Sequence, residues 1–161
     1  MLKLTKRTDY GLIAMRHLAT QPIGGACSAS DMAEEYGIPP ELLAKILQRL
    51  AKARLLKSQH GTRGGYTLAR EARSISAFEV IQAIEGPLFM TSCHTHRGDC
   101  SQSKRCTVRQ PLQRLSEKLE QALIRMKISD MAADFDDEAA AAPAPVNREL
   151  VTLGAQVAGG R

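Results

Sequence analysis

ELLAKILQRLAKARLLKSQHGTRGGYTLAR, residues 41–70, is the stretch on which the fold turns. Its first half places Leu42, Leu43, Ile46, Leu47 and Leu50 at spacings of one, three and four, the pattern of a helix with a single apolar face. Pro39 and Pro40 supply its start, because a proline in the first helical turn gives up no hydrogen bond. The spacing predicts a helix over about 40–53. Its other face carries Glu41, Ala44, Lys45, Gln48, Arg49 and Lys52, which is polar and mostly basic. The second half reads as two short strands, RLLKSQ (54–59) and GYTLAR (65–70). They are joined through His60-Gly61-Thr62-Arg63-Gly64-Gly65, where glycine permits positive φ at the tip.

Working upstream, Leu12, Ile13, Met15, His17, Leu18 and Ala19 form a broad apolar stripe that predicts a helix over 5–20, broken by QPIGG at 21–25. His17 on that stripe reads as a packed core histidine. A short helix over 29–36 is introduced by Ser28 and Asp31 at capping-box spacing and closed by Gly37. Helix, helix, turn, helix and hairpin is the order of a winged helix-turn-helix. The expected fold is therefore mainly α with a small β-hairpin wing.

Charge supports a nucleic-acid partner. The net charge of +5 is concentrated at the front: residues 1–73 hold twelve Lys/Arg against six Asp/Glu, residues 74–133 eight against six, and the remainder two against five. A basic front half suits DNA or another acidic partner. No apolar run is long enough to cross a membrane, and the N-terminal stretch carries charges through its apolar residues, unlike a signal peptide. A cytoplasmic, reducing location is expected.

Downstream, SAFEVIQAIE at 76–85 predicts a further helix ended by Gly86-Pro87. The next segment holds three of the four cysteines, Cys93, Cys100 and Cys106, in CHTHRGDCSQSKRC. Three clustered thiols in a reducing compartment point to a soft metal. The spacing lacks the paired knuckles of structural zinc sites and the four-cysteine runs of ferredoxins, so from spacing alone the metal stays open. Cys27, far away in GGACSAS, reads as an idle or buried thiol. From Pro111, Leu112, Leu115, Leu119, Ala122 and Met126 alternate at three and four, the seam of a coiled coil and a candidate dimer helix. Residues 133–161, with an acidic knot and an Ala/Pro linker, are expected to be a disordered tail. The domains so drawn are 1–73 for DNA binding, 74–132 for the cysteine loop and dimer helix, and 133–161 for the tail.

Four pieces together resemble the IscR/NsrR/RirA-type transcription regulators of the Rrf-two superfamily: LTKRTDYGLIAM, LLAKILQRLAKARLL, GTRGGYTLAR, and ISAFEVIQAIEGPLFMTSC leading into the cysteines. The resemblance covers about residues 1–132, and CTVRQPLQRLSEKLEQALIRMKISDM looks most like the subgroup regulating the SUF iron-sulfur assembly system. It implies a 2Fe-2S or 4Fe-4S cluster on Cys93, Cys100 and Cys106. Arg109 stands where IscR-like members place a histidine ligand. The resemblance of TKRTD to NsrR-like members instead implies Asp9, from the partner protomer, as fourth ligand, with His94 and His96 as alternatives.

The same resemblance implies a homodimer on a pseudo-palindromic duplex DNA operator and a repressor sensing iron-sulfur status, redox or nitrosative stress. Helix 40–53 would enter the major groove with Glu41, Ala44, Lys45, Gln48 and Arg49. The wing would set Arg63 in the minor groove, with Lys57 and His60 on phosphates. The chain offers no Ser/His/Asp or paired-carboxylate arrangement, which argues against an enzyme. The alternatives are a zinc-stabilised winged-helix regulator or one whose thiols sense oxidants directly.

Overall fold

Leu43, Leu47 and Leu50, all without exposed surface, stand at the centre of one hydrophobic core to which every helix but α5 contributes a buried residue. The computed structural model describes residues 4–22, 25–59, 61, 64–88 and 105–137. The elements in order are α1 (Lys6–Thr20), α2 (Ala29–Tyr36), α3 (Pro40–Lys52), β1 (Leu56–Gln59), β2 (Gly65–Leu68), a 3-10 turn (Ala72–Ser74), α4 (Ala77–Glu85), α5 (Arg109–Arg125) and α6 (Ile128–Asp137). None of these helices is long and apolar enough to cross a membrane. The winged-helix order and mainly α class expected from the sequence are present.

Local chemistry explains the element ends. Ser28 caps α2 by accepting from the Asp31 N–H at 3.1 Å, and Gly37 closes it in the left-handed region at φ 61°. In α4 a full capping box forms: the Glu79 N–H donates to Ser76 Oγ while the Ser76 N–H donates to Glu79 Oε2 at 2.9 Å. Helix α3 ends in a Schellman turn, in which the Leu55 N–H reaches the Leu50 carbonyl and the Arg54 N–H the Ala51 carbonyl. Arg54 holds the left-handed position at φ 60°, where glycine is the usual occupant.

The wing is an antiparallel pair in the register Leu56↔Leu68, Lys57↔Thr67, Ser58↔Tyr66 and Gln59↔Gly65. Its glycines play two roles. Gly61 has φ 120°, the conformational freedom expected at a tip. Gly64 and Gly65 are needed instead for close approach: a Cβ on Gly64 would lie 2.5 Å from the Gln59 carbonyl oxygen, and one on Gly65 2.4 Å from that of Cys27. The Cys27 backbone bonds both ways with Tyr66, at 3.1 and 2.8 Å, and so forms a one-residue third strand beside the wing.

Two features differ from the sequence reading. The long helix, α5, ends at Arg125 close to the last seam residue, but a further helix follows it: the chain turns through Met126 and Lys127, and α6 packs back along α1. Ile128 is fully buried, its N–H donates to the Ile75 carbonyl at 3.0 Å, and the Ala77 N–H donates to the Met126 carbonyl at 2.8 Å. The core therefore runs across the boundary drawn at 73/74, taking in Ile75, Val80, Ile84 and Ile128. Helix α6 also extends to Asp137, into the segment expected to be disordered, while residues 138–161 lie outside the described residues. The sequence signal that was passed over is a helix start at Lys127-Ile128-Ser129-Asp130, where the Lys127 N–H donates to Asp130 Oδ2 at 2.9 Å.

If α6 belongs to the core as drawn, Ile128→Ala should lower the unfolding free energy by about 2–5 kcal/mol, the usual range for emptying a fully buried aliphatic site. Urea denaturation checks this, and a loss within about 0.5 kcal/mol, typical of surface positions, would mean that α6 is peripheral.

Candidate functional site

The outward face of α3 presents Glu41, Lys45, Gln48 and Arg49 exposed and Ala44 half-buried, the same residues that the sequence pattern set aside from the core. The opposite face buries Leu43, Ile46, Leu47 and Leu50. Lys57 is exposed on β1, whereas His60 and Arg63 lie outside the described residues. Arg49 is not wholly free to read DNA. Its Nη1 donates to the Ile84 carbonyl at 2.9 Å, capping the C-terminal end of α4.

One residue further on, Glu85 makes a second tie. Thr8 Oγ1 donates to its carboxylate at 2.7 Å, and Thr5 Oγ1 donates to the same oxygen. Thr5 is the N-cap residue of α1 but makes no cap of its own. A capping box would want an acid at position 8; this chain has Thr8 there and brings the acid from Glu85 on another helix. A carboxylate is disfavoured at the C-terminal end of its own helix and favoured at the N-terminal end of another, and Glu85 occupies both places at once. Hydrogen bonds from Thr5 and Thr8, with Arg7 and Arg49 nearby, outweigh partial burial and hold the Glu85 carboxyl below the usual glutamate range. This junction was not foreseen from the sequence. The signals available were a threonine N-cap with no partner acid and a glutamate closing a helix.

Of the four metal-ligand candidates, Cys93 and Cys100 lie outside the described residues, as do His94 and His96. Cys106 is a free, half-buried thiol three residues ahead of α5. Asp9 is exposed in the first turn of α1. Among the described residues no three His, Cys, Asp or Glu side chains gather as a metal site. The donors that are described are one thiol unpaired with another cysteine, Cys106, and one exposed carboxylate, Asp9, with no hydrogen-bond or ion-pair partner among the described residues.

Cys27 belongs to a different cluster. His17 Nε2 lies 3.4 Å from its sulfur, His17 Nδ1 lies 3.1 Å from the Tyr36 hydroxyl, and the Glu35 carboxylate is 3.5 Å from Nδ1. Burial pushes the Cys27 thiol up, and Asp31 and Glu35 push it further; burial and Glu35 likewise raise the Tyr36 hydroxyl. A thiol held protonated beside carboxylates is a poor nucleophile. His17, buried as the stripe in α1 implied, links α1 to Tyr36 and Cys27 at the root of the wing.

Helix α5 buries no residue in this chain. Leu112, Ser116, Leu119 and Leu123 are half-buried on the side toward α4, while Val108, Leu115, Ile124 and Met126 are exposed, Val108 to 54%. The seam expected over Leu112, Leu115, Leu119, Ala122 and Met126 is thus divided between the chain's own fold and an open face.

A helix-turn-helix with a wing and a polar, basic helix turned outward is the architecture of a winged-helix DNA-binding regulator. Residues 4–134 match the family model described as Rrf2, iron-dependent transcriptional regulator, and the chain belongs to that family, whose members are transcriptional regulators and not enzymes. It is similar to IscR of T. potens (31% identity, TM-score 0.66, covering 89% of this chain and 94% of that one). It is also similar to CymR (YrzC), the global cysteine regulator of B. subtilis (26% identity, TM-score 0.67, covering 83% and 98%). An HTH-type transcriptional regulator of Mycobacterium tuberculosis is 39% identical over 87 residues, which is 54% of each chain. The match therefore spans about half the length of that relative.

The junction makes two expectations. Thr8→Val, which keeps shape and removes the donor to a charged acceptor, should cost about 1–3 kcal/mol in urea unfolding. Glu79 behaves like Glu85: burial would raise it, but hydrogen bonds from Arg70 and Ser76 win and hold it low. A carboxyl with a lowered native pKa stabilises the fold above its unfolded pKa, and that contribution is lost as pH falls through the native value. Stability should therefore decline below the ordinary glutamate range, and Glu85→Gln should flatten the decline in unfolding curves recorded at stepped acid pH.

Proposed function

We propose that the chain is a cytoplasmic, homodimeric repressor whose affinity for operator DNA is set by an iron-sulfur cluster of 2Fe-2S or 4Fe-4S type. Cys93, Cys100 and Cys106 would hold the cluster, with Asp9 supplied across the dimer as the fourth ligand. A bound cluster would supply a group that iron supply, oxidants or nitric oxide can alter. The observation that carries the reading is the root of the cysteine segment: the last two residues of α4, Ile84 and Glu85, are bonded directly to recognition helix α3 and to the first turn of α1. A change in that segment would reach the DNA-reading face through only two hydrogen-bonded contacts. Operator and cluster binding are then reciprocally coupled.

The chain's own residues divide the remaining work. Gln48 has the two-pronged amide that suits adenine and Lys45 a donor for guanine, while Arg63 would enter the minor groove and Lys57 and His60 would meet phosphates. The exposed side of α5 with Leu115 and Ala122, continued by Met126 just past its end, suits a second copy of the chain, which would set two recognition helices for a pseudo-palindromic operator. The resemblance of CTVRQPLQRLSEKLEQALIRMKISDM to SUF-type regulators would make iron-sulfur supply the leading signal. The likeness to the cysteine regulator CymR favours a second reading, in which the loop thiols act without a cluster.

Anaerobic purification followed by a visible spectrum with iron and acid-labile sulfide assays separates these readings. Charge-transfer bands with matched iron and sulfide are expected, abolished by Cys106→Ser and weakened in stability by Asp9→Ala. A colourless protein rich in zinc, or one metal-free after reconstitution, would sink the cluster and leave the zinc-stabilised or thiol-sensing regulator.

A further inference from the structure

A cleft of about 340 Å³ opens between the first turn of α1, the N-terminal half of α3 and the end of α4. Arg7, Lys45 and Arg49 line it from two different helices, with Glu41 the single acidic wall and Leu42 and Ile84 among its apolar lining. Arg7 from α1 and Arg49 from α3 thus share the wall of one cleft, and both lie near enough to Glu85 to favour its charged form. Even with Glu41 and Glu85 counted together, three cations face two anions. Pro39, also on the wall, begins α3 without a side-chain cap, so the positive end of that helix adds to the field.

We propose that this cleft seats a backbone phosphate of duplex DNA beside the recognition helix, with Arg7 and Arg49 as its guanidinium clamp and Lys45 at its edge. The inference rests on the DNA-binding reading and adds Arg7 of α1, outside the helix-turn-helix reading surface, to the contact set. Arg49 suits this role better than base reading. Its donation to the Ile84 carbonyl fixes the guanidinium at the cleft wall and leaves other N–H groups for a phosphate oxygen. A phosphate clamp carries no sequence information, so its work is to set how deeply and at what angle α3 enters the groove.

Arg7→Gln is the test, because Arg7 is exposed and its loss leaves the core intact. Binding to a mixed-sequence duplex is followed by fluorescence anisotropy across roughly 50–200 mM salt, with a thermal melt confirming that the variant folds like the wild type. The clamp predicts a roughly tenfold loss of affinity at low salt and a log–log salt slope shallower by about one, with Arg7→Lys restoring most of the slope. The same loss should appear on any duplex sequence. An unchanged slope and affinity in Arg7→Gln, with wild type binding normally, would overturn the clamp while leaving the regulator reading standing. If that unchanged DNA binding is joined by a rise in the melting temperature of wild type, but not of Arg7→Gln, on adding inorganic phosphate at constant ionic strength, the cleft is a site for a small free anion instead. Wild-type protein that ignores duplex DNA altogether would remove the regulator reading together with this one.

Discussion

Ile84 can approach α1 as closely as it does because position 11 is glycine. A Cβ there would lie 2.2 Å from Ile84 Cδ1, so any larger residue would drive α4 off α1 or force the isoleucine aside. That contact brings the end of α4 to the first turn of α1, where Glu85 meets Thr5 and Thr8, and to α3, where Arg49 meets the Ile84 carbonyl. The end of α4, helix α3 and the N-terminal helix share one junction, to which the missing side chain at Gly11 gives room. Interiors packed at crystal-like density transmit such contacts instead of absorbing them.

The junction also explains an arrangement of charge that would look unfavourable in any single helix. Glu85 closes a helix where an anion is disfavoured, and Thr5 begins one without capping it. Each satisfies the other across the fold, and Arg7 and Arg49 complete the balance. By contrast, at the root of the wing a buried His17 joins the half-buried Cys27 and Tyr36, and the Cys27 backbone is paired with Tyr66. The two clusters sit in different places: one is at the end of α4 that leads into the cysteine segment, the other ties the wing to α1 and α2.

Much of this was legible from residue spacing. The period of Leu43, Ile46, Leu47 and Leu50 allowed only a helix with one buried face, and Gly37 and Ser28 marked the ends of α2 because their backbone and side-chain preferences act within a few residues. Three glycines in the wing were legible as a turn, but their reasons were not. Only Gly61 uses positive φ, whereas Gly64 and Gly65 make room for backbone atoms, one of them 38 positions earlier at Cys27. Helix α6 escaped because Leu112 to Met126 read as a single long seam, and nothing local said that Met126 would break it to pair with Ala77.

The sequence by itself therefore determined the element types, the inward and outward faces of α3, and the concentration of thiols between α4 and α5. These depend on periodicity, capping and composition, which act over a turn or two of chain. Only the tertiary structure decided that Glu85 would cap a helix nearly eighty residues away, that Arg49 would be shared between DNA-facing surface and the end of α4, and that Arg7 would join it around one cleft. Those pairings follow from which helices pack together, and the packing is set by Gly11, Ile84 and Ile128 in the core instead of by any local pattern.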